Sequence, residues 1–280
     1  MVGGRPLTPT EVRDLARRHG IRPSKALGQN FVIDPNTIDR LVRIADLSPE
    51  DRVLEVGPGF GTLTLGLAGA ASQVLAVEFD RALLPVLEEV TSGLGNVSVL
   101  EGDAMEFDFR GLTGHWVMVA NLPYGISTAL IARALGEGPA VARLVVMVQA
   151  EVGARLVAKP GSQGYGSISV LVAYHCVGSV AARVPRSVFW PPPKVDSVVV
   201  TLERRPAPVS VAPDRLMHVV RAGFAQRRKK IRNSLASALP APLDEVEAAL
   251  VRAGIDPSAR AESLHLEDFA RIAEEVPLNA

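Results

Sequence analysis

From Arg52 onward, short uninterrupted apolar runs alternate with segments whose apolar residues recur every three or four positions. The runs RVLEVG, QVLAVEFD, NVSVLEGDA, HWVMVAN and RLVVMVQA are short and rich in Val and Leu, and they predict strands. Between them, TLTLGLAGAA, RALLPVLEEV and STALIARAL carry the helical period. Strands that are apolar on both faces and separated by helices indicate a parallel sheet covered on both sides, a doubly wound α/β domain. Upstream, DPNTIDRLVRIADLS predicts a helix: Asp34 caps it, Pro35 fits its first turn, and Ile38, Leu41, Val42 and Ala45 share a face. The residues before it read as a polar, basic leader.

Past Arg205 the pattern changes. RRPAPVSVAP reads as a linker, and DRLMHVVRAGFAQ, RRKKIRNSLASAL, LDEVEAALVRAG and LEDFARIAEEV predict three or four short helices. The boundary falls between about residues 204 and 213, which divides the chain into a larger domain, 1–208, and a helical one, 209–280. A chain of 280 residues, 48% of them hydrophobic, can bury one good-sized core and a second small one.

Charge changes the picture only through its placement. Lys plus Arg and Asp plus Glu are equal at 30 each, so affinity for nucleic acid has to come from clustering. Such a cluster exists: RAGFAQRRKKIRNSL holds Arg221, Arg227, Arg228, Lys229, Lys230 and Arg232 with no acid among them. A run of this kind is commonly a solvated helix face, whereas beside a base pocket it reads as a phosphate-binding surface. The single cysteine, Cys176, excludes an internal disulfide framework, suits a reducing compartment and reads as a small buried hydrophobe. No signal-peptide-like stretch and no apolar run of membrane-spanning length occurs, so a cytoplasmic protein without a membrane partner is expected. His19, His115, His175, His218 and His265 are scattered without ligand spacing, so no metal is expected. Nor is there a nucleophile elbow that would suggest a covalent intermediate.

The candidate chemistry lies at strand ends. Gly57, Gly59 and Gly61 follow one strand and open a helix, where backbone can approach a ligand closely. Their G-x-G-x-G spacing, with Glu55 two residues ahead, departs from the G-x-G-x-x-G of dinucleotide sites and favours a ligand without a pyrophosphate. Glu78, about 20 residues beyond Gly57, stands where a carboxylate reaches ribose hydroxyls, and Asp103 ends the third strand, placed to accept from an adenine amine. Each acid alone is equally a solvated strand end; their serial placement points to a nucleoside-containing cofactor. The next strand delivers Asn121-Leu122-Pro123-Tyr124. The Asn121 oxygen and the Leu122 carbonyl can accept from a target amine, Pro123 adds a rigid φ without a competing N–H, and Tyr124 offers a face for an unpaired base. By itself this tetrapeptide also suits an ordinary strand-to-loop turn.

Taken in order, these stretches resemble the S-adenosylmethionine-dependent ribosomal RNA adenine dimethyltransferases, specifically the bacterial small-subunit (16S rRNA) adenine N6-dimethyltransferases. KALGQNFVID at 25–34, LEVGPGFGTLT at 54–64, AVEFD at 76–80, GDAM at 102–105 and ANLPYGIST at 120–128 match that family's motifs. SVFWPPPKVDSVVV at 187–200 and FAQRRKKIRNSL at 224–235 resemble its later signatures. The resemblance implies a Rossmann-like methyltransferase domain with a small all-helical C-terminal domain. It implies that Gln29, Asn30 and Val32 touch the methionine end of the cofactor, with Gly57 and Gly59 close to it, Glu78 on the ribose, and Asp103 with Ala104 on the adenine. Asn121 then lies beside the transferable methyl, Leu122 supplies a carbonyl, Tyr124 stacks, and Phe189 closes on the base from the other side; Trp190 is equally a packing residue. The activity implied is dimethylation of N6 of two adjacent adenines in the 3′-terminal hairpin of 16S rRNA in the immature small subunit, by a monomer acting in ribosome biogenesis. Three other readings share parts of the pattern: a large-subunit RNA adenine methyltransferase of the macrolide-resistance type, an assembly factor that has lost turnover, and a dehydrogenase, the last disfavoured by the glycine spacing.

Overall fold

A computed structural model of the chain describes residues 4–226 and 228–277. The residues expected to be a leader form α1 (Pro9–Arg18). Thr8 and Glu11 cap it reciprocally: the Glu11 N–H donates to Thr8 Oγ1 at 3.3 Å and the Thr8 N–H to the Glu11 carboxylate at 2.8 Å. Its narrow apolar stripe, Val12, Leu15 and Ala16, is buried in a cluster with Phe60, Leu83 and Val86. The chain then forms β1 (Phe31–Val32) and α2 (Pro35–Ala45). Asp34 caps α2 as expected, accepting from the Thr37 N–H at 3.0 Å.

Five strands alternate with helices: β2 (Arg52–Val56), α3 (Thr62–Ala68), β3 (Gln73–Glu78), α4 (Leu84–Thr91), β4 (Val97–Glu101), β5 (Trp116–Asn121), α5 (Ser127–Glu137) and β6 (Val141–Gln149). They are followed by α6 (Ala150–Leu156), α7 (Ser167–His175), β7 (Cys176–Val184), β8 (Phe189–Trp190) and β9 (Ser197–Arg204). The main sheet has the order β4-β3-β2-β5-β6-β9-β7, and β1 pairs antiparallel with β8 in a two-stranded ribbon. β2 to β6 run parallel, as the Val-rich runs require, but β9 returns antiparallel to β6, so the sheet is mixed rather than wholly parallel. In β5, Val117 to Ala120 are fully buried, which is why that strand shows no polar alternation. The sheet carries a Rossmann-like α/β fold, in which strand order reverses between β2 and β5 and a crevice opens beyond their carboxyl ends.

The chain divides into two compact units, residues 1–153 with 179–203 and residues 154–178 with 204–280. The second unit gathers α7 with α8 (Pro213–Phe224), α9 (Ile231–Ala238), α10 (Leu243–Arg252) and α11 (Leu266–Glu275). Residues 154–178, placed by the sequence with the first domain, cluster here through long-range contacts: the Tyr165 hydroxyl donates to the Leu264 carbonyl at 2.9 Å, and its ring meets Phe224 edge to face at 5.9 Å. Among the described residues no helix is long and apolar enough to cross a membrane.

The sheet core fixes everything at its upper edge, so a cavity there has a measurable cost. Ile38 of α2 is fully buried among Val53, Leu67 and Val117. Ile38→Ala is expected to lower unfolding free energy by about 2–5 kcal/mol, read from urea denaturation; a change below about 1 kcal/mol would show that α2 is not part of this core.

Candidate nucleotide site

A cavity of about 410 Å³ opens at the strand-order reversal. Its floor is the loop after β2. Gly57 and Gly59 line it with φ of +69° and +60°, values that L side chains rarely adopt. A Cβ on Gly59 would come within 2.7 Å of the Phe31 ring, and one on Gly57 would touch the Pro123 ring at 3.6 Å, so the absence of side chains brings this loop against both walls.

The acids stand at successive strand ends. Glu78 is buried, and each of its oxygens holds backbone: the Gly59 N–H donates to Oε2 at 3.1 Å and the Asp80 N–H to Oε1 at 2.8 Å. Burial raises its pKa, and the two N–H donors oppose that shift. Asp103 accepts from the Met105 N–H at 2.8 Å and lines the opposite wall with Ala104. Phe79, 58% exposed, also lines the cavity. The sequence offered it as an apolar residue directly after a strand-end acid, a signal the expected site did not use.

At the end of β5, Asn121 donates from its side-chain amide to the Asn30 carbonyl at 3.0 Å. Its Oδ1 is buried and, among the described residues, has no hydrogen-bond partner. A buried unpaired acceptor costs about 1–3 kcal/mol, and such atoms mark places where a ligand donor belongs. The Leu122 N–H donates to the Met147 carbonyl at 3.1 Å, which ties the Asn121–Leu122 peptide to β6. The Tyr124 ring lines the cavity, half-buried, with its hydroxyl 2.7 Å from Ser197 Oγ.

The N-terminal segment closes one side through Lys25 to Phe31. Gln29 does so by latching: its amide donates to Asp80 at 2.7 Å and its oxygen accepts from the Ser24 N–H at 2.7 Å. Asn30 presents its carbonyl to Asn121 and donates from its side chain to the Gly28 carbonyl at 3.0 Å. Val32 is displaced from its expected place, because its side chain joins the sheet core and borders only a neighbouring cavity of about 30 Å³. Phe189, expected to close on a base, is 3% exposed, pairs with Val32 and packs in that same core, so it shows no face to the large cavity. Trp190 packs beside Phe60, centroids 6.3 Å apart.

The basic cluster divides likewise. Arg221 is exposed near the end of α8, and Arg228, Lys229 and Lys230 are exposed in the turn before α9, not on a helical face. Like charges on one helical turn repel, which favours ending the helix there. Arg232 is half-buried and paired with Glu247 at 3.0 Å, so its charge is already offset. Arg227 lies outside the described residues. Among those described, no group of three or more His, Cys, Asp or Glu could hold a metal ion.

Glu55, noted in the sequence only for its spacing from the glycines, takes no place in the large cavity. It ends up 1% exposed beneath the glycine loop, accepting from Thr64 Oγ1 at 2.7 Å and bordering the small cavity with Asn121.

A model of the ribosomal RNA adenine dimethylase family matches residues 21–277. The chain is 49% identical over 282 residues to the ribosomal RNA small subunit methyltransferase A of Pelotomaculum thermopropionicum, covering 95% of this chain and 96% of the relative. Among solved structures, a dimethyladenosine transferase from Plasmodium falciparum superposes with a TM-score of 0.74 at 26% identity, covering 85% of this chain and 94% of that one. The 23S rRNA methyltransferase ErmE superposes at 0.67 with 31% identity, covering 88% and 99%.

Burial pushes the Glu55 pKa up to about 8, against the Thr64 hydrogen bond and reinforced by the Glu78 charge. Its proton is therefore held in the folded chain at pH values where the unfolded chain has released it. The stability this confers is complete below the unfolded carboxyl value and is lost as pH rises towards 8. Urea denaturation across that range is expected to show wild type losing stability relative to Glu55→Gln as pH rises; a pH-independent difference between the two would mean that Glu55 is ionised in the fold.

Proposed function

We propose that this chain, which belongs to the ribosomal RNA adenine dimethylase family, uses S-adenosylmethionine to dimethylate N6 of two adjacent adenines in the 3′-terminal hairpin of 16S rRNA in immature small subunits. The observation that carries the reading is the buried, unengaged Oδ1 of Asn121, set at the strand-order reversal beside a glycine loop and two strand-end carboxylates. S-adenosylmethionine, when bound, supplies an electrophilic methyl on a sulfonium. The cavity fits it chemically: Gly57 and Gly59 admit close backbone approach, Glu78 suits ribose hydroxyls, and Asp103 with Ala104 suits an adenine edge.

The rest of the chemistry belongs to the amine. The N6 lone pair of adenine is delocalised into the ring, so the amine is a poor nucleophile until acceptors hold it pyramidal. Asn121 is oriented for this, because tying its amide group to the Asn30 carbonyl turns Oδ1 into the fixed acceptor. The Leu122 carbonyl is the second acceptor, on the peptide that follows the one tied to β6. Neither group takes the proton of the methylated amine, which passes to water. Tyr124 supplies the stacking face, and the Ser197 contact sets its tilt. Arg221, Arg228, Lys229 and Lys230 are assigned to RNA phosphates.

The test is transfer of labelled methyl to small subunits lacking the modification, with fully modified subunits and large-subunit RNA as controls. Label is expected in N6-dimethyladenine of the unmodified small subunit, and Asn121→Ala should lower kcat by about 10²–10³. Label confined to large-subunit RNA would assign a different target, and binding of subunit and cofactor without transfer would assign an assembly role. Reversing Arg228 and Lys229 to Glu should weaken RNA binding and flatten its salt dependence while cofactor affinity holds; unaltered RNA binding would remove these residues from the interface.

A further inference from the structure

The loop carrying Asp103 is tied by a side chain from α5, the helix that begins just after the Asn121–Tyr124 turn. Arg133 lies midway along that helix. Its Nη1 donates to the carbonyls of Ala104, at 3.4 Å, and Met105. Its Nη2 donates to the Phe107 carbonyl at 3.1 Å and to Glu137 at 2.6 Å, and its Nε donates to the other Glu137 oxygen at 3.1 Å. Every N–H of the guanidinium is thereby engaged. The face of the group lies over the fully buried Phe109 ring, 5.5 Å from its centroid. The loop is held from both sides: its carbonyls turn to Arg133, while the Met105 N–H turns back to the Asp103 carboxylate.

We propose that Arg133 is a positioning residue for adenine recognition, locking the Ala104–Phe107 stretch to α5 so that the loop reading the cofactor's base keeps a fixed spacing from the turn that holds the target amine. This rests on the reading of the cavity as an S-adenosylmethionine site. A rigid planar fork is needed, since three carbonyls along a bent loop must be met at once by a group whose charge Glu137 offsets. A lysine keeps the charge but, as a single compact centre, cannot meet the same acceptors together.

The readout is discrimination at the base, which a purely structural support would not move. Affinities of the full chain for S-adenosylmethionine, S-adenosylhomocysteine and the homocysteine analogue with hypoxanthine in place of adenine are measured for wild type, Arg133→Lys, Arg133→Gln and Glu137→Gln. Thermal unfolding and steady-state kinetics are measured in parallel. Both Arg133 substitutions are expected to raise Kd and KM for S-adenosylmethionine about tenfold, to shrink the preference for adenine over hypoxanthine, and to leave KM for RNA unchanged. Glu137→Gln, which keeps the carbonyl contacts, should retain the preference. An unchanged preference in both folded Arg133 variants overturns the proposal, including the case in which only the melting temperature falls. If Arg133→Lys does not fold, a Glu137→Gln variant that loses the preference while its melting temperature holds also overturns it, and a retained preference supports it. Failure of the unsubstituted protein to bind S-adenosylmethionine overturns the cofactor reading and this proposal with it, and it is told apart because it appears without any substitution.

Discussion

Parallel pairing of β2 with β5 is the constraint from which the site follows. Leu54 opposite Met118 sets the register, and from there the chain leaves β2 towards β3 and leaves β5 towards β6, in opposite directions across the sheet. Two loops therefore diverge at one point, and the space between them cannot be filled by either crossover. Gly57 and Asn121 stand at the two lips of that opening. Pro123 touching the space where a Gly57 side chain would be shows how closely the lips approach.

Hydrogen bonds turn that opening into a framed site. Ser24 holds Gln29, Gln29 holds Asp80, the Asp80 N–H holds Glu78, and Glu78 holds the Gly59 N–H. The chain of contacts joins the N-terminal segment, the end of β3 and the glycine loop, so displacement of one is felt by the others. Asn121 extends the frame to β5 through Asn30. Below it, burial beneath the loop favours a protonated Glu55 over a second negative charge beside Glu78.

What could be read from sequence was what depends on strand ends. Gly57, Gly59, Glu78, Asp103 and the Asn121–Tyr124 turn all line the cavity, because the sheet's register alone delivers them there. What could not be read depends on contacts distant along the chain. The stripe of α1 is only three residues wide and gains its partners from α4 and Phe60, although the Thr8–Glu11 capping pair, Pro9 in the first turn and Arg17 and Arg18 in the last were local signals of a helix. Val32 and Phe189 are drawn into the core by pairing with each other, which neither local pattern contains. The turn at Arg228–Lys230 interrupts a segment with helical period, since apolar spacing does not register repulsion among consecutive cations. Residues 154–178 join the second unit through partners such as Leu264, and no composition shift marks that allegiance. Arg133 looks like an ordinary member of an i, i+4 pair with Glu137, and its carbonyl partners lie in a loop before β5.

The hydroxyl of Tyr124 has a consequence beyond holding its ring in place. With the ring tethered to Ser197, the entropy of ordering the aromatic face is lost when the chain folds rather than when a base arrives. A phenylalanine would offer the same area but would have to be immobilised on every encounter. On the proposed reading, an enzyme that must return twice to one amine, the second time with a methyl already on it, would meet that amine over an unchanging plane.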